Sequence, residues 1–162
     1  MSSQRAPAQW TRDTSLGYQI NHLGRLLAQA LHRRIAPLGV VPGQFAQLLA
    51  LFEQDGLTQR ELCELVRIEQ PTMANTLQRM ERTSLIRREP DPADGRRMRV
   101  VLTARARALE DHLVSAAREV NGIATSGLSD QEVAAFRSTL RQIINNLEAA
   151  DHRPGPDNTE QP

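Results

Sequence analysis

The chain has 162 residues, 40% of them hydrophobic but only 3% aromatic, with one cysteine and a formal net charge of +1. That length suits one domain, or one domain with an oligomerisation arm. A lone cysteine excludes a disulfide scaffold, few aromatics argue against stacking surfaces for single-stranded nucleic acid, and no N-terminal apolar stretch marks a signal peptide or membrane span. A soluble, cytoplasmic protein without membrane association is expected.

The charge is small in total but unevenly placed. Residues 79–107 hold nine Arg against four acids, and residues 108–162 hold four Arg against nine acids. Such a local excess is what an electrostatic footprint for nucleic acid looks like. There is no Lys, a feature read mainly as a compositional habit of the source genome and only secondarily as selection for bidentate contacts.

Residues 1–13 and 150–162 are predicted to be disordered tails, the latter because of Arg153-Pro154-Gly155-Pro156. Asp13-Thr14-Ser15 can cap a first helix whose apolar series is Leu16, Ile20, Leu23, Leu27, Leu31 and Ile35. Pro42 suits the first turn of a second helix through Phe45, Leu48, Leu49 and Phe52, stopped by Asp55-Gly56. Thr58 and Glu61 form a capping box for a third helix, with Leu57 and Leu62 as its hydrophobic staple. A tight link at Arg67-Ile68 leads to a fourth helix from about Gln70 to Thr83, with Met73, Leu77 and Met80 facing inward. Two short helices with this spacing make a helix-turn-helix pattern.

The period then changes. Leu85–Glu89 and Arg99–Leu102 read as two strands flanking Asp94-Gly95, a pair suited to a hairpin turn with φ > 0. Arg96 and Arg97 at that tip make a charged finger with no core to bury it. Thr103 caps a fifth helix with Leu109, Leu113, Ala117, Val120 and Ala124 on one face. Ser129 and Glu132, a second capping box, start a sixth helix through Val133, Phe136, Leu140, Ile143 or Ile144, and Leu147. The expected order is α-α-α-α-β-β-α-α. The fold class is mainly α with a small β-hairpin wing: a winged helix-turn-helix with N- and C-terminal dimerisation helices.

By span, this gives a dimerisation helix at 14–36, a DNA-binding lobe at 37–103 and further dimerisation helices at 104–149. A two-fold interface is favoured for the terminal helices because one half-site provides little affinity, whereas a symmetric dimer reads a palindrome. Ordinary intramolecular packing of those helices is the alternative.

The candidate DNA-reading face is Gln70, Thr72, Asn75, Thr76 and Arg79 on the fourth helix, opposite the inward methionines. Arg can bridge guanine O6 and N7, Gln or Asn can pair with adenine, and Thr can meet a thymine methyl. On the wing the candidates are Asp94, Arg96, Arg97 and Arg99, with Arg87 and Arg88 alternating along the strands so that only some face a duplex. An ordinary solvated face is the competing reading of each group. No nucleophile–base pair, phosphate loop or compact metal-ligand motif is present, so neither an enzyme, a cofactor nor a metal is expected. A winged-helix protein-interaction module without specific DNA binding is the other alternative.

The chain resembles the MarR family, the multiple-antibiotic-resistance type of winged helix-turn-helix regulators. The resemblance is carried by Leu57-Thr58-Gln59-Arg60-Glu61-Leu62, Gln70-Pro71-Thr72, Leu77-Gln78-Arg79-Met80-Glu81, Leu85-Ile86-Arg87-Arg88, Asp91-Pro92-Ala93-Asp94-Gly95-Arg96-Arg97 and Leu102-Thr103, and covers about residues 15–148. It implies a homodimer on a palindromic double-stranded operator, with the recognition helix in the major groove and a wing arginine in the minor groove. It also implies a repressor, less often an activator, relieved by an unknown small-molecule effector or an oxidant. Arg96 takes the wing-tip role and Asp94 orients it by an ion pair. Tyr18 and His22, one turn apart on the first helix, are candidates for the ligand pocket, with a polar place at the dimer seam as the alternative for His22. One branch of the family senses hydroperoxides through a cysteine near the start of its first helix. Cys63 instead lies in the third helix, where a structural filler is the favoured reading and an oxidation sensor the alternative. Thr83-Ser84 and Ala106 depart from the family pattern, which places Ser84 at a helix C′ position where Gly is easiest.

Overall fold

The third helix begins where the chain becomes self-satisfying. In the computed structural model, which describes residues 11–151, the Thr58 hydroxyl accepts the Glu61 N–H at 3.3 Å while the Glu61 carboxylate accepts the Thr58 N–H at 2.7 Å. Two orphan donors of the first turn are thereby paired, a cap worth about 1 kcal/mol. The elements are α1 (Leu16–Ile35), a single 3-10 turn (Ala36–Leu38), α2 (Pro42–Glu53), β1 (Leu57–Thr58), α3 (Gln59–Val66), α4 (Gln70–Arg82), β2 (Ile86–Pro90), β3 (Met98–Leu102), α5 (Ala104–Ala124) and α6 (Asp130–Asp151).

β1 is the element that the periodicity misses. It pairs antiparallel with β3, Leu57 opposite Val100 and Thr58 opposite Arg99, giving a sheet of order β1-β3-β2. Two residues carry no period to read; the strand exists because of what holds it. Gly56, at φ +79°, turns the chain after α2, its carbonyl accepts the Arg99 Nε–H at 2.6 Å, and Asp55 accepts the Gly56 and Leu102 N–H groups, each at 2.9 Å. The second oxygen of Asp55 pairs with Arg107 on α5.

The wing turn also differs from expectation. β2 and β3 separate after the pair Pro90–Met98, leaving residues 91–97 as the loop. Neither Asp94 nor Gly95 has positive φ, so the Asp-Gly pair does not make the two-residue hairpin turn. Instead, the Arg97 N–H bonds back to the Asp94 carbonyl at 2.9 Å, and Asp94 Oδ1 accepts the Arg96 N–H at 3.1 Å. The carboxylate stabilises an ordinary turn, which removes the need for left-handed backbone.

The chain forms two compact units that divide after Asn121, within α5. In the first unit, Ile35, Leu48, Leu51, Leu62, Met73, Leu77, Met80, Leu85 and Leu113 are fully buried together with sheet residues Ile86, Val100 and Leu102. On α2 the inward stripe is Gln44, Gln47, Leu48 and Leu51. Leu49 points outward, 37% exposed; the two buried glutamines disguise the true face. The N-terminal half of α1 finds no such cover: Leu16, Ile20, Leu23 and Leu26 are all exposed.

The second unit holds the end of α5, a turn with Gly127 at φ +82°, and α6. Ser129 and Glu132 form the expected reciprocal cap. No residue of α6 is buried, and Phe136, Ile144 and Leu147 are exposed. Residues 11–13 belong to a hydrogen-bonded turn closed by the Ser15 N–H on the Thr11 carbonyl, and α6 runs to Asp151, so the tail expectation does not hold there. The rest of both predicted tails lies outside the described residues. Among those residues no single helix is long and apolar enough to cross a membrane.

Candidate nucleic-acid interface

α4 owes its position to both of its ends. Arg67, in the left-handed region at φ 57°, ends α3, and the Ile68 N–H returns to the Cys63 carbonyl. At the far end Ser84 takes φ 56°, the Ser84 N–H bonds to the Glu81 carbonyl and the Leu85 N–H to the Met80 carbonyl. This is the paired closure that satisfies the last carbonyls of a helix, here made by Ser where Gly is easiest. A second layer comes from α5 and the residue that precedes it. The Arg105 guanidinium donates to the carbonyls of Thr83 and Leu38, and the Thr103 hydroxyl donates to that of Ser84 at 2.7 Å. Gly39, at φ +75°, leaves room for that guanidinium: a Cβ there would lie 2.8 Å from it.

Between these ends Met73, Leu77 and Met80 are fully buried. At about 100° per residue, Thr72, Asn75, Thr76 and Arg79 share roughly a third of the circumference on the outer side. Thr72, Asn75 and Arg79 are exposed, while Thr76 is half-buried and donates its hydroxyl to the Thr72 carbonyl at 2.9 Å. Gln70 does not belong to this stripe. It opens the helix on the other side, and its amide oxygen accepts from Gln59 of α3 at 2.8 Å. Helix angle, rather than polarity, decides the grouping.

The wing arginines have different fates. Arg96 and Arg97 are exposed on the loop, and their side chains have no hydrogen-bond or ion-pair partner among the described residues. Asp94 supports Arg96 through its backbone N–H, and no ion pair joins the two side chains. Arg99 turns inward to brace Gly56. Arg87 pairs with Glu89 and donates to the Leu102 carbonyl, and Arg88 faces Glu81. Glu61 sits near this patch. Its carboxyl is held below the ordinary range first by the Thr58 backbone N–H, then by the Thr58 hydroxyl, with a smaller push from Arg97 and Arg99.

Tyr18 and His22 lie together on α1, short of the groove described next. They stack on each other with ring centroids 6.3 Å apart on the exposed half of α1. A groove of about 300 Å3 opens further along, between Leu27, Ala28 and Leu31 of α1, Pro42 and Phe45 of α2, and Ala117, Val120 and Asn121 of α5. Its apolar lining looks like core in a sequence, which is why no motif marks it. Cys63 is buried in α3, where burial first and Glu64 second push its thiol above the ordinary value. A raised thiol holds less of the thiolate form that reacts with oxidants.

Known proteins resemble this chain in sequence and fold. The MarR family model matches residues 38–97. The transcriptional repressor NicR of Pseudomonas putida is 27% identical over 157 residues, covering 93% of this chain and 99% of NicR. The transcriptional regulator HosA of Escherichia coli O111:H- is 33% identical over 102 residues, covering 63% of this chain and 76% of HosA. The crystal structure of the PcaV transcriptional regulator from Streptomyces coelicolor, in complex with its natural ligand, aligns with a TM-score of 0.76 at 25% identity, over 85% of this chain and 97% of PcaV. The chain belongs to the MarR family and is a DNA-binding winged helix-turn-helix transcriptional regulator.

Proposed function

We propose that the protein is a cytoplasmic homodimeric repressor, without catalytic activity, that leaves its operator when a small ligand binds. The observation that carries the reading is the outward stripe of Thr72, Asn75, Thr76 and Arg79 in the same lobe as the unpaired Arg96 and Arg97. α4 enters a major groove, where Arg79 reads base edges, Thr72 and Thr76 add shorter contacts, and Asn75 stands at the edge of the stripe toward the backbone. Arg96 reaches the adjacent minor groove and Arg97 grips a phosphate. Asp94 shapes the turn, Arg99 anchors the wing to the lobe, and Gln70 fixes the start of α4 against α3. Residues 37–103 act as the DNA-binding lobe.

Residues 14–36 and 104–149 serve the dimer. The uncovered apolar faces of α1 and α6 support this, since a second copy is the partner that a two-fold operator requires. The two recognition helices then meet half-sites about one helical turn, roughly 34 Å, apart. The groove lined by Leu27, Leu31, Phe45 and Val120 takes the effector, an apolar or aromatic molecule by its lining. Ligand complexes of relatives such as PcaV support that role. Occupancy changes the separation of the recognition helices and lowers operator affinity by linkage.

Footprinting on DNA next to the coding region locates the operator, and titration across salt concentrations tests the contacts. Arg96→Ala is expected to weaken binding and to lower the slope of log affinity on log salt by about 1.8, which is about 0.9 for each half-site of the dimer. Unchanged affinity would remove the wing from the interface, and equal binding to every duplex would favour a protein-interaction module.

A further inference from the structure

Arg87 and Arg88 are neighbours on β2, so their side chains leave opposite faces of the strand. Arg87 is committed to Glu89 and the Leu102 carbonyl. Arg88 turns toward α4, where its Nε lies 3.8 Å from the Glu81 carboxylate, with both side chains partly open to solvent. Around this pair runs a groove of about 310 Å3, lined by Ala74, Asn75, Gln78, Glu81 and Arg88. Asn75 and Gln78 have no side-chain hydrogen-bond partner among the described residues. The groove therefore offers one guanidinium and two free amides along the flank of α4 that faces the wing.

In a B-form duplex a single phosphate backbone separates each major groove from the neighbouring minor groove. With α4 in one and the wing loop in the other, that backbone must cross the ground between them. We infer that the Asn75–Gln78–Arg88 groove is a seat for this backbone phosphate, and that Glu81 holds Arg88 until the phosphate takes it. This assignment rests on the reading that α4 and the wing occupy adjacent grooves. At 3.8 Å the Glu81–Arg88 contact is too long for a good hydrogen bond, and an exposed pair is readily exchanged. A phosphate offers Arg88 a bidentate partner instead. Glu81 is then left beside a negative charge, so it sets a uniform cost on every duplex. Gln78 and the amide of Asn75 donate without adding charge.

Anisotropy titrations of the full chain on its footprinted operator and on a random duplex of equal length, over a range of salt, test this. Arg88→Ala is expected to weaken both complexes by a similar factor and to lower the salt slope of each by about 1.8, which is about 0.9 per protomer of the dimer. Arg88→Lys keeps the slope. Glu81→Gln is expected to tighten both complexes about threefold or more at low salt, a gain that fades as salt rises. Thermal melts of these surface variants matching the wild type assign the changes to the interface. An unchanged slope in Arg88→Ala, or weaker binding by Glu81→Gln, overturns the seat while leaving the parent reading intact if Arg96→Ala still lowers the slope. Loss of salt-dependent duplex binding in the wild type itself overturns both.

Discussion

The lobe from α2 to β3 and the helix α6 are built from similar proportions of apolar residues, yet only the lobe buries them. Met73, Leu77 and Met80 are wholly enclosed within the lobe, whereas Phe136 and Leu147 of α6 stand 50% and 65% exposed. Helix α6 is no less well formed, for its cap at Ser129–Glu132 repeats the pairing seen at Thr58–Glu61. The difference teaches that local signals make a helix, while a closed core decides whether one chain suffices for it. The lobe encloses its core within one copy; α6 and the first half of α1 leave their apolar side chains exposed.

Substitutions can break that contrast. Leu77→Ala is expected to cost about 2–5 kcal/mol by chemical denaturation, because it opens a cavity in an enclosed core. Phe136→Asp, on an exposed position, is expected to leave the lobe folded but to shift sedimentation from dimer to monomer and remove the dependence of melting on protein concentration. A melting temperature independent of concentration in the wild type would place α6 outside any interface. Thr58→Ala is expected to cost about 1 kcal/mol by denaturant titration, through loss of one cap. The carboxyls of Glu61 and Glu132 both sit below their ordinary range, because the capping residue donates to each. A lowered folded pKa means stability is full above the ordinary carboxylate range and lost as pH falls through the folded value. Acid titration should therefore show Thr58→Ala losing less further stability than the wild type below that range. The smallest effect belongs to Ser84→Gly, a gain of about 0.5–1 kcal/mol from relief of positive φ, read as a raised melting temperature.

Much of this was legible in the residues. Thr58 and Glu61 announce a cap because the partners are three positions apart, and Met73, Leu77 and Met80 announce a buried face for the same reason. Ser84 could be placed at a left-handed position because the helix had to end there. The unread features all depend on distant partners or on angle. β1 needs Val100 and Arg99, far along the chain, and the bond from Arg99 to the Gly56 carbonyl has no signal in the sequence. Gln70 shares its chemistry with the α4 stripe but not its side of the helix. The Asp94-Gly95 pair suggested the shortest turn, whereas the actual loop closes through the Asp94 carboxylate. The groove at Leu27 and Phe45 escaped notice because apolar residues carry no label for cavity rather than core.

Arg105 and the groove residue Ala117 stand on the same helix, twelve positions apart, which is about 18 Å of rigid rod at 1.5 Å per residue. A tilt of about 5° at the groove end displaces the Arg105 end by roughly 1.5 Å, enough to part a hydrogen bond. The guanidinium that bridges Thr83 and Leu38 thus sits at the far end of a long lever arm. Any movement of α5 at the groove is therefore felt, through this arm, at the C-terminal end of α4.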